Sequence, residues 1–271
     1  MSTVITEPAG GPPGRTAWRA LGVVASVLVL LLAGLLAWGW LAPRRTEERT
    51  QTYRQPVGRV QVEVDAGDVT VVGASAGGEV TVERRLAWRT ARTPTVAETW
   101  SGDALRVTGR CPSTGLTLGL GGDCSIELVL RVPPQVAVEV RTDAGAVRLR
   151  DLTGEVQVAV SAGDVSADAL AGPLRIRSDS GEISAAGLRG DRVEVRADAG
   201  EIRLGFAEPP AAVSVVSSAG DVTVELAPGS YRVSADTDAG RRRVEVTNDP
   251  AAARTVTART EAGDIHIRYA D

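Results

Sequence analysis

From Val57 to the C-terminus, hydrophobic and polar residues alternate in short runs, and a tight turn separates each run from the next. In the second half the alternation is regular, for example at Val156, Val158 and Val160. A period of two places successive side chains on opposite faces of a β-strand. The pattern predicts an all-β body whose strands have one buried and one exposed face.

Each turn contains a small residue followed by glycine. The turn glycines are Gly67, Gly145, Gly163, Gly181, Gly200, Gly220, Gly240 and Gly263. From Gly145 onward they are separated by 18, 18, 19, 20, 20 and 23 residues. A period of this length is typical of stacked supersecondary units, and glycine accepts the positive φ that a tight corner requires. We therefore predict stacked β-strand repeats that form a solenoid or a prism.

The body divides into two halves that together form one domain, 57–271. Residues 143–271 keep the period, whereas residues 57–142 are rich in strand patterns but keep it poorly. Terminal units of a stacked array differ from internal ones, because an uncovered strand edge promotes aggregation. We predict that 57–142 caps one end of the stack, with Trp88 and Trp100 in its core.

The last strand pattern, Ile265–Tyr269, is predicted to form the other end of the stack. There His266 and Arg268 would blunt the exposed edge. His266 is the only histidine in the chain. Its place in a strand pattern favours an exposed strand position over a role as a catalytic base.

A hydrophobic segment precedes the body. Residues 20–43 contain no charged residue in 24 positions; Trp18 precedes the segment, and Trp38 and Trp40 lie near its C-terminal end. Spanning a bilayer takes about 20 apolar residues, whereas the apolar core of a cleavable signal peptide has about 7 to 15. We predict a disordered cytoplasmic tail over 1–19, a single transmembrane helix over 20–43 and a polar tether over 44–56.

The two cysteines bear on the orientation in the membrane. Cys111 and Cys124 flank a glycine-rich segment short enough to let the thiols meet, and disulfides persist outside the cytoplasm. We predict a disulfide, a cytoplasmic N-terminus and an extracytoplasmic body. Two unpaired buried thiols are the alternative, and the arginines that flank the hydrophobic segment favour the opposite orientation.

In the regular half, five acids directly follow a turn glycine: Asp164, Glu182, Glu201, Asp221 and Asp264. Stacking would align them along one edge, where carboxylates can supply ligands for Ca²⁺. However, Asp and Glu also favour turns for solvation, and stacked like charges repel one another. The second interpretation is favoured, and no metal or other cofactor is predicted.

Charge and motif content exclude several function classes. The 34 acids and 30 bases, with a net charge of -4, leave no basic patch of the kind that binds nucleic acid. The glycine cluster at Gly119–Gly122 precedes a strand pattern, so it is not a phosphate-binding loop. We predict a protein that is not an enzyme. A polysaccharide-active solenoid, with two carboxylates about 5 to 9.5 Å apart, is the weakest alternative.

The turn units consist of Asp or Ser, Ala or Ser, Gly, an acid, and Val or Ile. These units, the less regular half before them and the preceding hydrophobic span resemble the bacterial putative-adhesin family of β-strand repeats, also called toastrack domains. The resemblance covers Val57 to the C-terminus and implies an extracytoplasmic module in adhesion or envelope-stress sensing. Ala146 and Arg241 stand where the pattern has an acid, which argues against a site that runs along every unit.

The sequence therefore predicts a membrane-anchored binding module whose partner is an envelope component or a membrane protein. A structural scaffold that self-associates through its strand edges is the main alternative.

Overall fold

The computed structural model describes residues 26–27, 29–31, 34, 45–74, 78–89, 93–112 and 124–270. The predicted tail 1–19, the glycine cluster Gly119–Gly122 and all but six positions of the predicted span 20–43 lie outside these residues. Across the described residues, no helix is long and apolar enough to cross a membrane. The membrane helix stays a prediction from the sequence.

The described part of the body contains 21 strands in two stacked sheets. The eleven-stranded sheet contains, in spatial order, β1 (Arg45–Tyr53), β4 (Val80–Trp88), β7 (Cys124–Val132), β3 (Val69–Gly73), β9 (Val147–Arg150), β11 (Val165–Asp168), β13 (Ile183–Leu188), β15 (Ile202–Phe206), β17 (Val222–Leu226), β21 (Ile265–Tyr269) and β19 (Arg242–Val244). The ten-stranded sheet contains β18 (Arg232–Ala239), β20 (Thr255–Ala262), β16 (Ala212–Ala219), β14 (Arg192–Ala199), β12 (Leu174–Ser180), β10 (Val156–Ala162), β8 (Ala137–Ala144), β2 (Arg59–Ala66), β6 (Ala104–Arg110) and β5 (Thr95–Ser101).

A glycine turn joins one strand of each sheet to one strand of the other, and we call each such pair a rung. Neighbouring rungs pair in parallel and in register, so that Val158 on β10 lies between Val140 on β8 and Ile176 on β12. These three side chains are buried between the sheets. Aliphatic columns of this kind form one continuous core. The prediction of an all-β body built from stacked strands is confirmed.

The last two rungs exchange places in the stack. The rung β20–β21 lies between β16–β17 and β18–β19, so β19 and not β21 is at the edge. The prediction that Ile265–Tyr269 ends the stack is therefore wrong. Ile265 and Ile267 on β21 are buried, so this strand needs a neighbouring strand on both sides. Arg242 and Arg243 on the three-residue β19 are exposed, so β19 can occupy the edge of the sheet.

Residues Arg45–Tyr53, which were expected within the tether 44–56, form β1. This strand pairs antiparallel with β4 at all nine positions. Its side chains are exposed except for Tyr53, which is half-buried. The tether prediction is wrong for this stretch, because an edge strand held by backbone hydrogen bonds needs no apolar period.

Candidate functional site

The corner of each rung is a column of stacked backbone. All eight predicted turn glycines have a positive φ, between 125° and 157°. Seven of them donate their N–H to the residue before the next glycine in the stack, as Gly163 does to the Ser180 carbonyl at 3.0 Å. A Cβ on Gly181 would lie 2.1 Å from the Gly163 carbonyl oxygen. Backbone packing therefore accounts for the glycine repeat without a ligand.

The aspartates that follow the turn glycines bond to the next rung. Asp164 Oδ1 accepts the backbone N–H of Glu182 at 2.9 Å, and Asp221 Oδ1 accepts that of Asp264 at 2.8 Å. Asp164 and Asp221 are exposed at the corner. Each aspartate thus satisfies an N–H group that the parallel ladder leaves free.

Arginines engage the remaining acids of this column. Glu182 and Glu201 both pair with Arg203. Asp264 accepts the backbone N–H of Arg241 and pairs with its guanidinium, each at 2.8 Å. The backbone bond, followed by the side-chain bond, lowers the pKa of Asp264. Among the residues that the structure describes, no group of three or more His, Cys, Asp and Glu could hold a metal ion. The hydrogen bonds and ion pairs of this column join neighbouring rungs to each other.

At the end of the stack formed by β1 and β5, a buried polar cluster joins the two sheets. Glu98 on β5 accepts hydrogen bonds from Tyr53 on β1 and from Arg84 on β4, and its side chain is only 7% exposed. Burial, followed by the bond to Glu98, raises the pKa of Tyr53 to about 12. Trp100 meets the Tyr53 ring edge-on, with the ring centroids 5.3 Å apart, and Trp88 is buried in the same hydrophobic core at the other end of β4. The cluster fastens β1 to the body.

Cys111 and Cys124 are joined by a disulfide, with Cα atoms 6.0 Å apart. Cys111 follows β6 of the ten-stranded sheet, and Cys124 begins β7 of the eleven-stranded sheet. The bond therefore links the two sheets. Most of the intervening segment, 113–123, lies outside the described residues.

Replacing both cysteines, Cys111→Ser with Cys124→Ser, is expected to lower the free energy of unfolding by about 3 kcal/mol. The physical reason is that the bond closes a short loop and restricts the unfolded chain. Urea unfolding of the oxidised protein, the reduced protein and the double variant would measure the effect. The reduced wild type should match the variant, and three equal midpoints would show that the bond contributes nothing.

His266 lies at the surface of the stack, with 33% of its side chain exposed. It lies on the outer face of β21, where its Nε2 is 3.0 Å from Glu245 Oε2. The hydrogen bond from His266 is the largest cause of the lowered pKa of Glu245. The interaction joins β21 to the edge rung and explains the histidine as a surface contact.

A shallow groove of about 190 Å³ crosses the outer face of the ten-stranded sheet. Its outward side chains are Arg141 and Asp143 of β8, Ala159 and Ser161 of β10, and Arg177 and Asp179 of β12. These residues were not predicted from the sequence as a site. The sequence pattern that could have indicated them is an arginine four residues before the turn glycine and an acid two residues before it. Because the exposed faces of the strands carry many other charges, this pattern does not stand out.

These features define a two-sheet, all-β column that presents a charged outer face. The Toastrack DUF4097 family model matches residues 57–268, and the chain belongs to that family. The family resemblance inferred from the turn units is thereby confirmed.

Solved structures with low sequence identity are similar to most of the chain. A putative cell adhesion protein from Clostridium sporogenes is 12% identical, with 83% of this chain and 100% of that chain covered and a TM-score of 0.38. A putative adhesin from Bacteroides fragilis is 13% identical, with coverage of 83% and 97% and a TM-score of 0.37. A putative lipid binding protein from Parabacteroides distasonis is 9% identical, with coverage of 83% and 97% and a TM-score of 0.24. No curated protein matches the sequence.

Proposed function

We propose that the protein is a non-catalytic binding module, held at the outer face of a membrane by a helix over 20–43. The observation that carries the binding assignment is the outer face of the ten-stranded sheet. Its strands from β2 to β18 are parallel and in register, so exposed side chains form straight columns. A broad, regular and charged surface suits attachment to an extended envelope component.

Two sequence features support the proposed location. The uncharged segment 20–43 has the length of a membrane span. The disulfide between Cys111 and Cys124 suits an oxidising compartment. A body outside the membrane would act in adhesion or in sensing envelope stress, and an inward signal would need a partner membrane protein.

Hydrogen bonds at the end of the stack formed by β18 and β19 weigh against the alternative of end-to-end self-assembly. The side chain of Asn248 accepts from the Val233 N–H at 3.0 Å and donates to the Val233 carbonyl at 3.3 Å. Arg242 donates to the Ala235 carbonyl at 3.0 Å. These side chains occupy backbone groups on the edge of β18 that another strand would need for pairing.

Protease treatment of intact spheroplasts, combined with thiol labelling, tests the proposed location. We expect the body to be cleaved from outside, and Cys111 and Cys124 to be labelled only after reduction. A protease-resistant body whose thiols are labelled without reductant would place it inside and reject this function. Lysed spheroplasts provide the control, since the body must then be cleaved in either orientation.

A further inference from the structure

The groove over β10 belongs to a pattern that occurs twice on the same face. At the position four residues before the turn glycine, Ala159 on β10 lies between Arg141 on β8 and Arg177 on β12. Three rungs further along, Val216 on β16 lies between Arg196 on β14 and Arg259 on β20. Each set therefore has a small or aliphatic residue with an arginine on either side, and we call the sets the first and second triplets.

A second column repeats the arrangement two residues closer to the turn. Beside the first triplet this column contains Asp143, Ser161 and Asp179, and beside the second it contains Asp198, Ser218 and Glu261. We count these residues as part of the triplets from here on, and all six are exposed. Each triplet thus combines two arginines, two carboxylates and a central serine. Val216, which forms the floor of the second triplet, is 39% exposed.

The four carboxylates differ from those that follow the glycines. Within the described residues, the side chains of Asp143, Asp179, Asp198 and Glu261 make no hydrogen bond or ion pair, and the side chain of Arg177 makes none either. The side chains of the other three arginines are exposed: Arg259 pairs with the exposed Asp236 at 3.1 Å, whereas Arg141 and Arg196 pair with the half-buried Glu139 and Glu194. Exposed ion pairs contribute about 0 to 1 kcal/mol, so a ligand can replace them at little cost.

The strand geometry sets the spacing of these charges. Strands two places apart are separated by about 10 Å, so both arginines of a triplet can reach one anion above the central strand. Residues two apart on a strand are separated by about 6.6 Å, which sets the distance from the arginine row to the acid row. The centres of the two triplets are about 14 Å apart along the stack.

Acidic residues bound the arginine row at both ends. Glu63 on β2 lies beside Arg141, and Asp236 on β18 lies beside Arg259. An anionic chain along the row would be repelled beyond these two points. The favourable stretch is therefore limited to the six rungs that hold the two triplets.

We propose that the two triplets bind a linear phosphodiester polymer that carries ammonium groups. This inference rests on the proposed function as a binding module and specifies its ligand. Paired guanidinium groups suit a phosphate, because each can donate two parallel hydrogen bonds to its oxygens. The carboxylates and the central serine receive the ammonium groups. Two triplets on one straight face bind the same polymer chain together, so occupancy of one favours occupancy of the other.

Binding measurements with the full-length protein reconstituted in phosphatidylcholine nanodiscs test the proposal. One probe is poly(glycerol phosphate) whose hydroxyl groups carry alanyl esters, which supply the ammonium groups. The second is the same polymer after ester hydrolysis, and the third is vesicles of phosphatidylethanolamine. We expect the esterified polymer to bind about tenfold more tightly than the hydrolysed one, which corresponds to about 1.4 kcal/mol. Added salt should weaken binding.

Variants locate the binding to the triplets. Arg177→Gln with Arg196→Gln removes one arginine from each triplet and should weaken binding of the esterified polymer at least about tenfold. Arg148→Gln with Arg150→Gln makes the same charge change on the opposite sheet, where both side chains are also exposed, and should leave binding within about twofold. Asp179→Asn with Asp198→Asn should abolish the preference for the esterified polymer.

Several results would overturn the proposal. Equal affinity for both polymers would indicate a simple anion site, and binding to vesicles alone would indicate a lipid surface. Equal losses in the two arginine variants would reflect net charge rather than the triplets. If neither polymer binds, this inference fails while the binding-module function stands or falls separately, by the protease result in spheroplasts.

Discussion

Gly181→Ala is expected to lower the free energy of unfolding by about 4 kcal/mol. Gly181 has a φ of 125°, which an alanine adopts only with strain. The added Cβ would also lie 2.1 Å from the Gly163 carbonyl oxygen, so the neighbouring rungs would have to separate. Strain and overpacking of this kind each cost about 1 to 3 kcal/mol. Urea unfolding monitored by circular dichroism would measure the loss.

Gly205→Ala is the matched control, because Gly205 also lies in the stack but has room for a side chain. The nearest atom to a Cβ there is the Ala185 carbonyl oxygen, at 3.7 Å. We expect a change within about 1 kcal/mol, since alanine restricts the unfolded chain more than glycine does. If Gly181→Ala were as mild as this control, the corners could open and the glycine column would not be required for the stack.

Truncation after Arg254, which removes β20 and β21, is expected to unfold β18 and β19 as well. The deleted rung is the one that pairs with both of them, and within the described residues it separates them from β16 and β17 in the two sheets. Without it, their amide hydrogens should exchange at rates close to those of an unfolded chain. Hydrogen exchange measured by mass spectrometry would resolve the segment from Arg232 to Val244.

The internal reference for this experiment is the centre of the stack. Amides of β10 to β15 keep their neighbours in the truncated protein and should stay protected. If β18 and β19 also stayed protected, they would be pairing with β16 and β17 directly. That result would support a stack in sequence order and reject the exchanged order of the last rungs.

The regular half of the body could be predicted because local signals agree there with the tertiary structure. The alternation at Val156, Val158 and Val160 gives buried side chains on one face, and the turn glycines take the positive φ expected of them. The N-terminal part of the stack, from β1 to β7, was harder to predict. β1 has no apolar period, and its anchor to the body is a cluster around Glu98 whose members are distant in sequence.

The candidate binding face was the least visible from the sequence. Arginine and aspartate at alternate exposed positions are common on strands, and they identify no site until the register shows which of them are neighbours. The second triplet illustrates this point. Asp236 lies between Val216 and Arg259 in sequence, yet in the sheet Arg259 is beside Val216 and Asp236 is beyond it.

The sequence by itself determined the strands, the corners and their period, because these depend on side-chain alternation and on the backbone freedom of glycine. Only the tertiary structure decided the order of the rungs. The spacing of 20 residues from Gly220 to Gly240 is the same as that of a rung stacked in sequence order. The deciding factor is burial: the rung with Ile265 and Ile267 needs neighbours on both sides, and the rung with Arg242 and Arg243 does not.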